Sequence, residues 1–261
     1  MLATRWWSDN LPGPGHTASE DAAYVSPPQP GPACCAAVAD GVGSSPDGRT
    51  AAHAAITEAE RCWQCGSPAP AGLAALFGRS AERLAALERA DHRLAGLAST
   101  LAVLWVAPEA VWTAHLGDSR VYRAGTNGAA ALTADDRIEV DGRSLLTAAV
   151  TARPGPAPRI ARFPPPGAGD VYLLCTDGVW SAADPSELQT ALARRPAEAA
   201  AWLRTLAARR RDDFCYVLLE VQAAGAPPAP PAPTVDLTGT AVEPPAAAEH
   251  RGTRGEEDRG P

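Results

Sequence analysis

The sequence predicts an α+β protein whose sheet is largely antiparallel. Three observations carry this. Short apolar runs are joined by links of hairpin length. Helical stretches fall between groups of strands rather than after every strand. The chain has 261 residues, 46% of them apolar, enough for one large domain with a sizeable core.

In chain order, the first strand signal is Ala33–Ala39, an unbroken small apolar run. Arg49–Cys65 follows as a helix, with Ala51, Ala55, Ile56 and Ala59 on one face. Gly72–Leu94 is rich in Ala, Leu, Glu and Arg. Its Leu76, Leu84, Leu87 and Leu94 recur near helical spacing. Thr100–Val106 and Val111–Leu116 are strands joined by Ala-Pro-Glu-Ala, which makes them antiparallel neighbours. Val121–Ala124 continues the meander, and Gly-Thr-Asn-Gly at 125–128 predicts a tight turn. Residues Pro154 to Gly169, rich in Pro and Gly, read as a long surface loop. Val171–Cys175 is a strand, Pro185–Ala208 a helix with Pro185 in its first turn after Asp184, and Phe214–Val221 the last strand. From about Ala224 to Pro261 the chain is Pro- and Ala-rich, with no aromatic residue. It cannot bury enough apolar surface to offset its ordering entropy. The expected organisation is a domain over 1–223 and a disordered tail over 224–261.

The basic residues are all Arg, and the formal net charge is −7. An acidic balance argues against a nucleic-acid binder and against electrostatic attachment to a membrane surface. There is no uncharged apolar stretch of about 18 residues. The first residues, MLATRWWSD, lack the apolar centre of a signal peptide, so a cytoplasmic location is expected. The six cysteines, at 34, 35, 62, 65, 175 and 215, then read as free thiols in a reducing compartment. Cys62 and Cys65 have CxxC spacing, but they lie in a helical pattern, and the spacing reads as packing or chance rather than as a redox or metal pair.

The chemistry lies in where carboxylates meet apolar runs. Asp40 ends the first strand, Asp118 follows VWTAHL, and Asp177 follows VYLLC. Asp212 and Asp213 precede the last strand, and Glu20 and Asp21 precede Ala22–Val25. Strand ends cluster at a sheet edge. Carboxylates gathered there repel one another unless cations bind, and hard divalent cations prefer such oxygen donors. Gly41 after Asp40 lets a backbone carbonyl approach a cation closely.

Taken together and in order, these motifs resemble the type 2C, Mg²⁺/Mn²⁺-dependent protein serine/threonine phosphatases. The resemblance rests on Ser19-Glu20-Asp21-Ala22, Val38-Ala39-Asp40-Gly41-Val42-Gly43, Ser99-Thr100-Leu101, Gly117-Asp118-Ser119-Arg120, Leu132-Thr133-Ala134-Asp135, Cys175-Thr176-Asp177-Gly178-Val179-Trp180 and Arg211-Asp212-Asp213-Phe214. It implies a four-layer αββα sandwich, two antiparallel sheets flanked by helices, with two Mn²⁺ or Mg²⁺ ions at one edge. It further implies that Asp40 bridges both metals, that the Gly41 carbonyl and Glu20 serve the second, and that Asp177 and Asp212 hold the first. Asp118 matches the acidic residue of a third, weaker site. Asp21 and Asp213 stand behind the ligands, Asp21 as an orienting group. The implied reaction is attack on phosphorus by a water shared between the metals, with no phosphoenzyme. The implied partners are a phosphorylated protein substrate and an opposing Ser/Thr kinase. The alternative activity is that of a weak or inactive relative serving as a phosphoprotein-binding regulatory module.

Four positions depart from the family pattern. His16 stands where the family has a phosphate-binding Arg. A His is charged only part of the time and cannot make a bidentate fork, so phosphate binding should improve towards mild acid. Ser44-Ser45-Pro46 replaces the usual Gly and His after Asp40-Gly-Val-Gly. Ser181 replaces an acidic residue after Trp180, which weakens the third site. Asp213 replaces Asn, as an added ligand or an added repulsion. The segment from Asp136 to Gly169 reads as short and proline-rich beside the family's flap.

Overall fold

The computed structural model describes residues 2–28, 31, 33–66, 70–125 and 128–223. The expected tail over 224–261 and the centre of the 125–128 turn lie outside these residues. In chain order the elements are β1 (Leu2–Leu11), β2 (Asp21–Val25), β3 (Cys34–Asp40), α1 (Gly48–Gln64), α2 (Ala71–Ala90), β4 (Ala98–Ser99), β5 (Leu101–Ala107), β6 (Ala110–Leu116) and β7 (Arg120–Gly125). There follow β8 (Gly128–Ala131), β9 (Arg137–Val140), β10 (Arg143–Leu146), β11 (Val150–Thr151), β12 (Arg159–Phe163), β13 (Val171–Cys175), α3 (Asp177–Trp180), α4 (Pro185–Leu192), α5 (Pro196–Leu206) and β14 (Phe214–Ala223).

Two five-stranded antiparallel sheets form the centre. One has the order β1-β14-β13-β7-β8, the other β12-β6-β5-β3-β2. Alternation along each strand explains the stacking. In β14, Cys215, Val217, Leu219 and Val221 point between the sheets, where they meet Ala36, Val38, Ala102 and Leu104. Phe214, Tyr216 and Leu218 point the other way, against Leu188, Leu192, Ala199 and Leu203 of α4 and α5. The other sheet does the same: Ala37, Ala39, Leu101 and Val103 pack under Ala51, Ala55, Leu76 and Leu84 of α1 and α2. Both faces of each central strand are buried, so the runs are continuously apolar. The four-layer αββα architecture follows. Each large apolar side chain buried this way contributes about 1.5–3 kcal/mol, whereas an exposed ion pair contributes about 0–1. The layers are therefore held by these three clusters.

Local signals set the helix ends. Asp47 caps α1 by accepting from the Thr50 N–H at 2.9 Å. Asp184 and Glu187 form a capping box on α4, with Pro185 at its start. The buried Glu58 of α1 takes Arg61 at 3.0 Å and reaches Arg79 and Arg83 of α2, tying the two helices together.

Four expectations need correction. The helix expected over Pro185–Ala208 is two helices, because Pro196 cannot continue the first; a 3₁₀ turn at Ala207–Arg209 follows. The second helix ends at Ala90, and His92–Leu94 is a separate 3₁₀ turn. The loop expected over Pro154–Gly169 contains β12, an edge strand paired with β6. The first strand is not the Ala33–Ala39 run but β1, paired along its whole length with β14. No helix of the described residues is long and apolar enough to cross a membrane. All six cysteines are unpaired. Cys65 is exposed and the other five are buried, pushed towards the neutral thiol where a shift is resolved.

Candidate metal centre

Antiparallel pairing places the end of one strand beside the start of the next, and this gathers the carboxylates. Asp21 opens β2 directly opposite Asp40, which closes β3. Cys175 at the end of β13 faces Tyr216 of β14, so Asp177 and Asp212 stand at that same edge. Asp118 sits in the turn after β6. Gly117 there has φ +105°, and a Cβ on it would meet the Thr100 side chain at 2.6 Å. Thr100 joins the two acidic points: its Oγ1 accepts from the Asp40 N–H at 3.0 Å and shares a hydrogen bond with Ser119 Oγ at 2.7 Å.

The result is a cleft of about 240 Å³. Glu20, Asp40, Gly41, Asp118, Asp177 and Asp212 line it, and His16, Arg137 and Asp213 are also in its wall. The electrostatics are those of crowded anions. Burial, then the charges of Asp21, Asp177, Asp118 and Asp212, push the Asp40 carboxyl well above its usual range. Burial, with Asp118 and Asp212 beside it, pushes Asp177 up to about 6. Glu20 and Asp118 are raised as well, mainly by burial. Asp21 is fully buried beneath the cleft and accepts from Thr176 Oγ1 at 2.8 Å; burial pushes its carboxyl up.

These residues fit a pair of hard divalent cations. The donors are carboxylate and carbonyl oxygens, and their mutual repulsion is what bound cations relieve. Gly48 supplies a second, geometric sign. A Cβ on Gly48 would lie 2.7 Å from Glu20 Oε2 and 2.9 Å from the Gly41 carbonyl oxygen. Both oxygens therefore converge on a space that glycine leaves open.

Asp213 spends its carboxylate elsewhere. Oδ1 accepts from the Gly13 N–H at 2.5 Å and meets His16 Nδ1 at 2.9 Å, while Oδ2 accepts from the Glu20 N–H at 2.5 Å. It anchors the 13–20 loop. The hydrogen bond to Asp213, and then the Asp213 charge, raise the pKa of His16. The ligand atoms of His16, Asp212 and Asp213 lie within 4.8 Å of one another. Ser181, after Trp180, is exposed and offers no carboxylate beside Asp118; Arg137 Nη1 stands 3.5 Å from Asp118 Oδ2 instead.

Sequence reasoning missed Gly48, Thr176 and Arg137. Gly48 follows a helix-capping Asp, a signal that marks a helix start and says nothing of a nearby carboxylate. Thr176 lay inside a recognised motif but its partner is 155 residues away. Arg137 reaches the cleft only because β9 and β10 pair as a hairpin over it.

The protein phosphatase 2C family model matches residues 16–214. No match is found among curated proteins. The catalytic domain of the serine/threonine protein phosphatase PstP in complex with two manganese ions is 25% identical, with a TM-score of 0.73 over 85% of this chain and 100% of that one. The Mycobacterium tuberculosis serine/threonine phosphatase PstP/Ppp is 24% identical, with a TM-score of 0.71 and the same coverage. Stp1 from Staphylococcus aureus is 17% identical, with a TM-score of 0.74 over 85% of this chain and 96% of that one.

Proposed function

The chain belongs to the protein phosphatase 2C family, metal-dependent serine/threonine phosphatases, and on that premise we propose how its residues divide the work. Asp40 would serve both divalent cations, Mn²⁺ or Mg²⁺. Asp177 and Asp212 would hold the first, and Glu20 and the Gly41 carbonyl would serve the second. Asp118 would be the remaining acidic donor. What supports this reading is the convergence of six oxygen-bearing residues on one cleft, with carboxyls raised by burial and mutual charge.

When bound, two divalent cations supply a water of lowered pKa and positive charge against the phosphoryl oxygens. The chain's own residues do the rest. Thr176 orients Asp21 beneath Asp40. Thr100 fixes the Asp40 backbone relative to the Asp118 turn. Asp213 holds the 13–20 loop so that Glu20 faces the cleft and His16 presents its free ring edge to a phosphate. Hydrolysis then breaks the P–O bond to the serine or threonine and releases inorganic phosphate and the free hydroxyl.

The same reading assigns the chain to the reversal of a Ser/Thr kinase, in bacterial signalling and in the cytoplasm. It takes residues 1–223 as the working domain and 224–261 as a tail outside it. The test compares phosphothreonine peptides with phosphorylated sugars and nucleotides as substrates of the Mn²⁺-loaded protein. Preferred release of phosphate from the peptides is expected. Preference for the small metabolites would overturn the assignment to proteins.

A further inference from the structure

We propose that Arg137, on the β9–β10 hairpin, is the guanidinium that grips the substrate phosphate in this chain. The inference rests on the phosphatase reading above and names a residue that its motifs do not contain.

A phosphate dianion must enter a cleft crowded with carboxylates, so a fixed positive group beside the metals matters. The position expected to provide it holds His16. That side chain is half exposed, and its Nδ1 is already committed to Asp213 at 2.9 Å. It retains one ring nitrogen and can make no fork.

Among the described residues lining the cleft, Arg137 is the one arginine. Its neighbours of the same type are spent. Arg120 gives Nε and Nη2 to Asp135 at 2.9 and 2.8 Å and Nη1 to Tyr122 at 3.0 Å. Arg159 is engaged by Asp136. Arg137 is differently disposed. Its Nε donates to Ser144 Oγ at 2.5 Å across the hairpin. Its guanidinium lies 4.9 Å from the Trp180 ring, whose other cation is Arg120 at 3.7 Å. Trp180 is itself held by Nε1–H to the Asp118 carbonyl at 3.0 Å. Nη1 stands 3.5 Å from Asp118 Oδ2, an ion pair longer than a hydrogen bond. Neither Nη makes a hydrogen bond within the described residues. The guanidinium is thus positioned from behind, three-quarters buried, with the two-nitrogen edge that suits a phosphate still available.

The register of the hairpin supports this orientation. Arg137 pairs with Leu146 and Glu139 with Ser144, so Arg137 and Leu146 face the cleft from adjacent strands. Ile138, Val140 and Leu145 lie on the opposite face and are exposed. The hairpin presents the face bearing Arg137, Ser144 and Leu146 to the metal site, with Arg143 on the other face.

The experiment compares wild type, R137Q, R137K and H16Q, all Mn²⁺-loaded. It reads turnover of a phosphothreonine peptide, binding of inorganic phosphate by calorimetry, and Mn²⁺ affinity. Loss of a charge-assisted fork predicts that R137Q raises KM and the phosphate Kd by about 10- to 100-fold, with kcat changed far less. R137K, which keeps the charge without the fork, falls between, and it carries the test if R137Q folds poorly by circular dichroism. H16Q should change both constants less than R137Q does. An R137Q protein with KM and phosphate Kd within about twofold of wild type overturns the inference. So does a loss confined to Mn²⁺ binding, which would make Arg137 a partner of Asp118 only. Absence of wild-type turnover would instead sink the phosphatase reading, and phosphate calorimetry would still decide the role of Arg137.

Discussion

Gly178 offers the sharpest test of how the backbone builds the metal centre. It follows Asp177 at the start of α3, where that turn crosses the beginning of β14. A Cβ on Gly178 would lie 1.8 Å from the Asp213 carbonyl oxygen and 2.9 Å from its carbon. Relief to a bare 3.0 Å contact would require a displacement of about 1.2 Å in a densely packed interior. The atoms that must move are backbone, next to Asp212, so Asp177 and Asp212 would be driven apart. Overpacking of this kind costs about 1–3 kcal/mol, and the severity of the overlap places Gly178→Ala at the upper end. For a domain of this size that is a fall in Tm of roughly 6–12 °C. Displaced ligands should weaken Mn²⁺ binding by about 10- to 100-fold. Differential scanning calorimetry and Mn²⁺ titration read both effects. Gly78→Ala is the control: it lies in α2 with nothing within 4 Å of its Cβ, and it should stabilise by about 0.5–1 kcal/mol. A Gly178→Ala protein that melts with wild type and binds Mn²⁺ equally would refute the claim that this close approach sets the ligand spacing.

Other outcomes follow from the same geometry. The Asp177 carboxyl is raised from 3.8 to about 6 in the metal-free protein, so the folded state holds its proton more tightly than the unfolded chain does. Its contribution is present below pH 4 and lost as pH rises through 6; saturating Mn²⁺ should abolish that loss in melts taken from pH 4 to 7.5, and identical profiles with EDTA and Mn²⁺ would contradict it. Iodoacetamide should label Cys65 alone in the native protein, since the other five thiols are buried; rapid modification of a second thiol, read by mass spectrometry, would show that the layers open. Thr100→Val removes the hydroxyl that serves both the Asp40 N–H and Ser119. It should cost about 1–3 kcal/mol in stability and weaken Mn²⁺ binding; an unchanged Mn²⁺ titration would remove Thr100 from the account of the site.

Much of this was legible before any coordinates, for a physical reason. Strands buried on both faces must be continuously apolar, so Ala33–Ala39, Thr100–Val106, Val171–Cys175 and Phe214–Val221 stood out within a residue or two of β3, β5, β13 and β14. Asp40 and Asp177 at their ends pointed to a shared edge because antiparallel neighbours reverse there. Edge strands were harder. In β1, Thr, Arg, Ser and Asp interrupt the apolar residues, and in β12 the flanking prolines dominate. Only a partner strand, β14 or β6, makes either one a strand. The sequence leaves Asp213 open as an added ligand, an added repulsion or a group behind the ligands, because its partners Gly13, His16 and Glu20 lie nearly 200 residues away. Arg137 carried no local signal, because its place depends on a hairpin folding over the cleft.

The central claim is that carboxylates gathered at one sheet edge work through divalent cations, with Asp40 common to both. Hydrolysis of p-nitrophenyl phosphate with Mn²⁺, with Mg²⁺ and with EDTA, for wild type and Asp40→Asn, tests it most directly. The account predicts turnover that requires a divalent metal and that Asp40→Asn abolishes while the protein stays folded. Turnover that survives EDTA, or an Asp40→Asn protein as active as wild type, would contradict it.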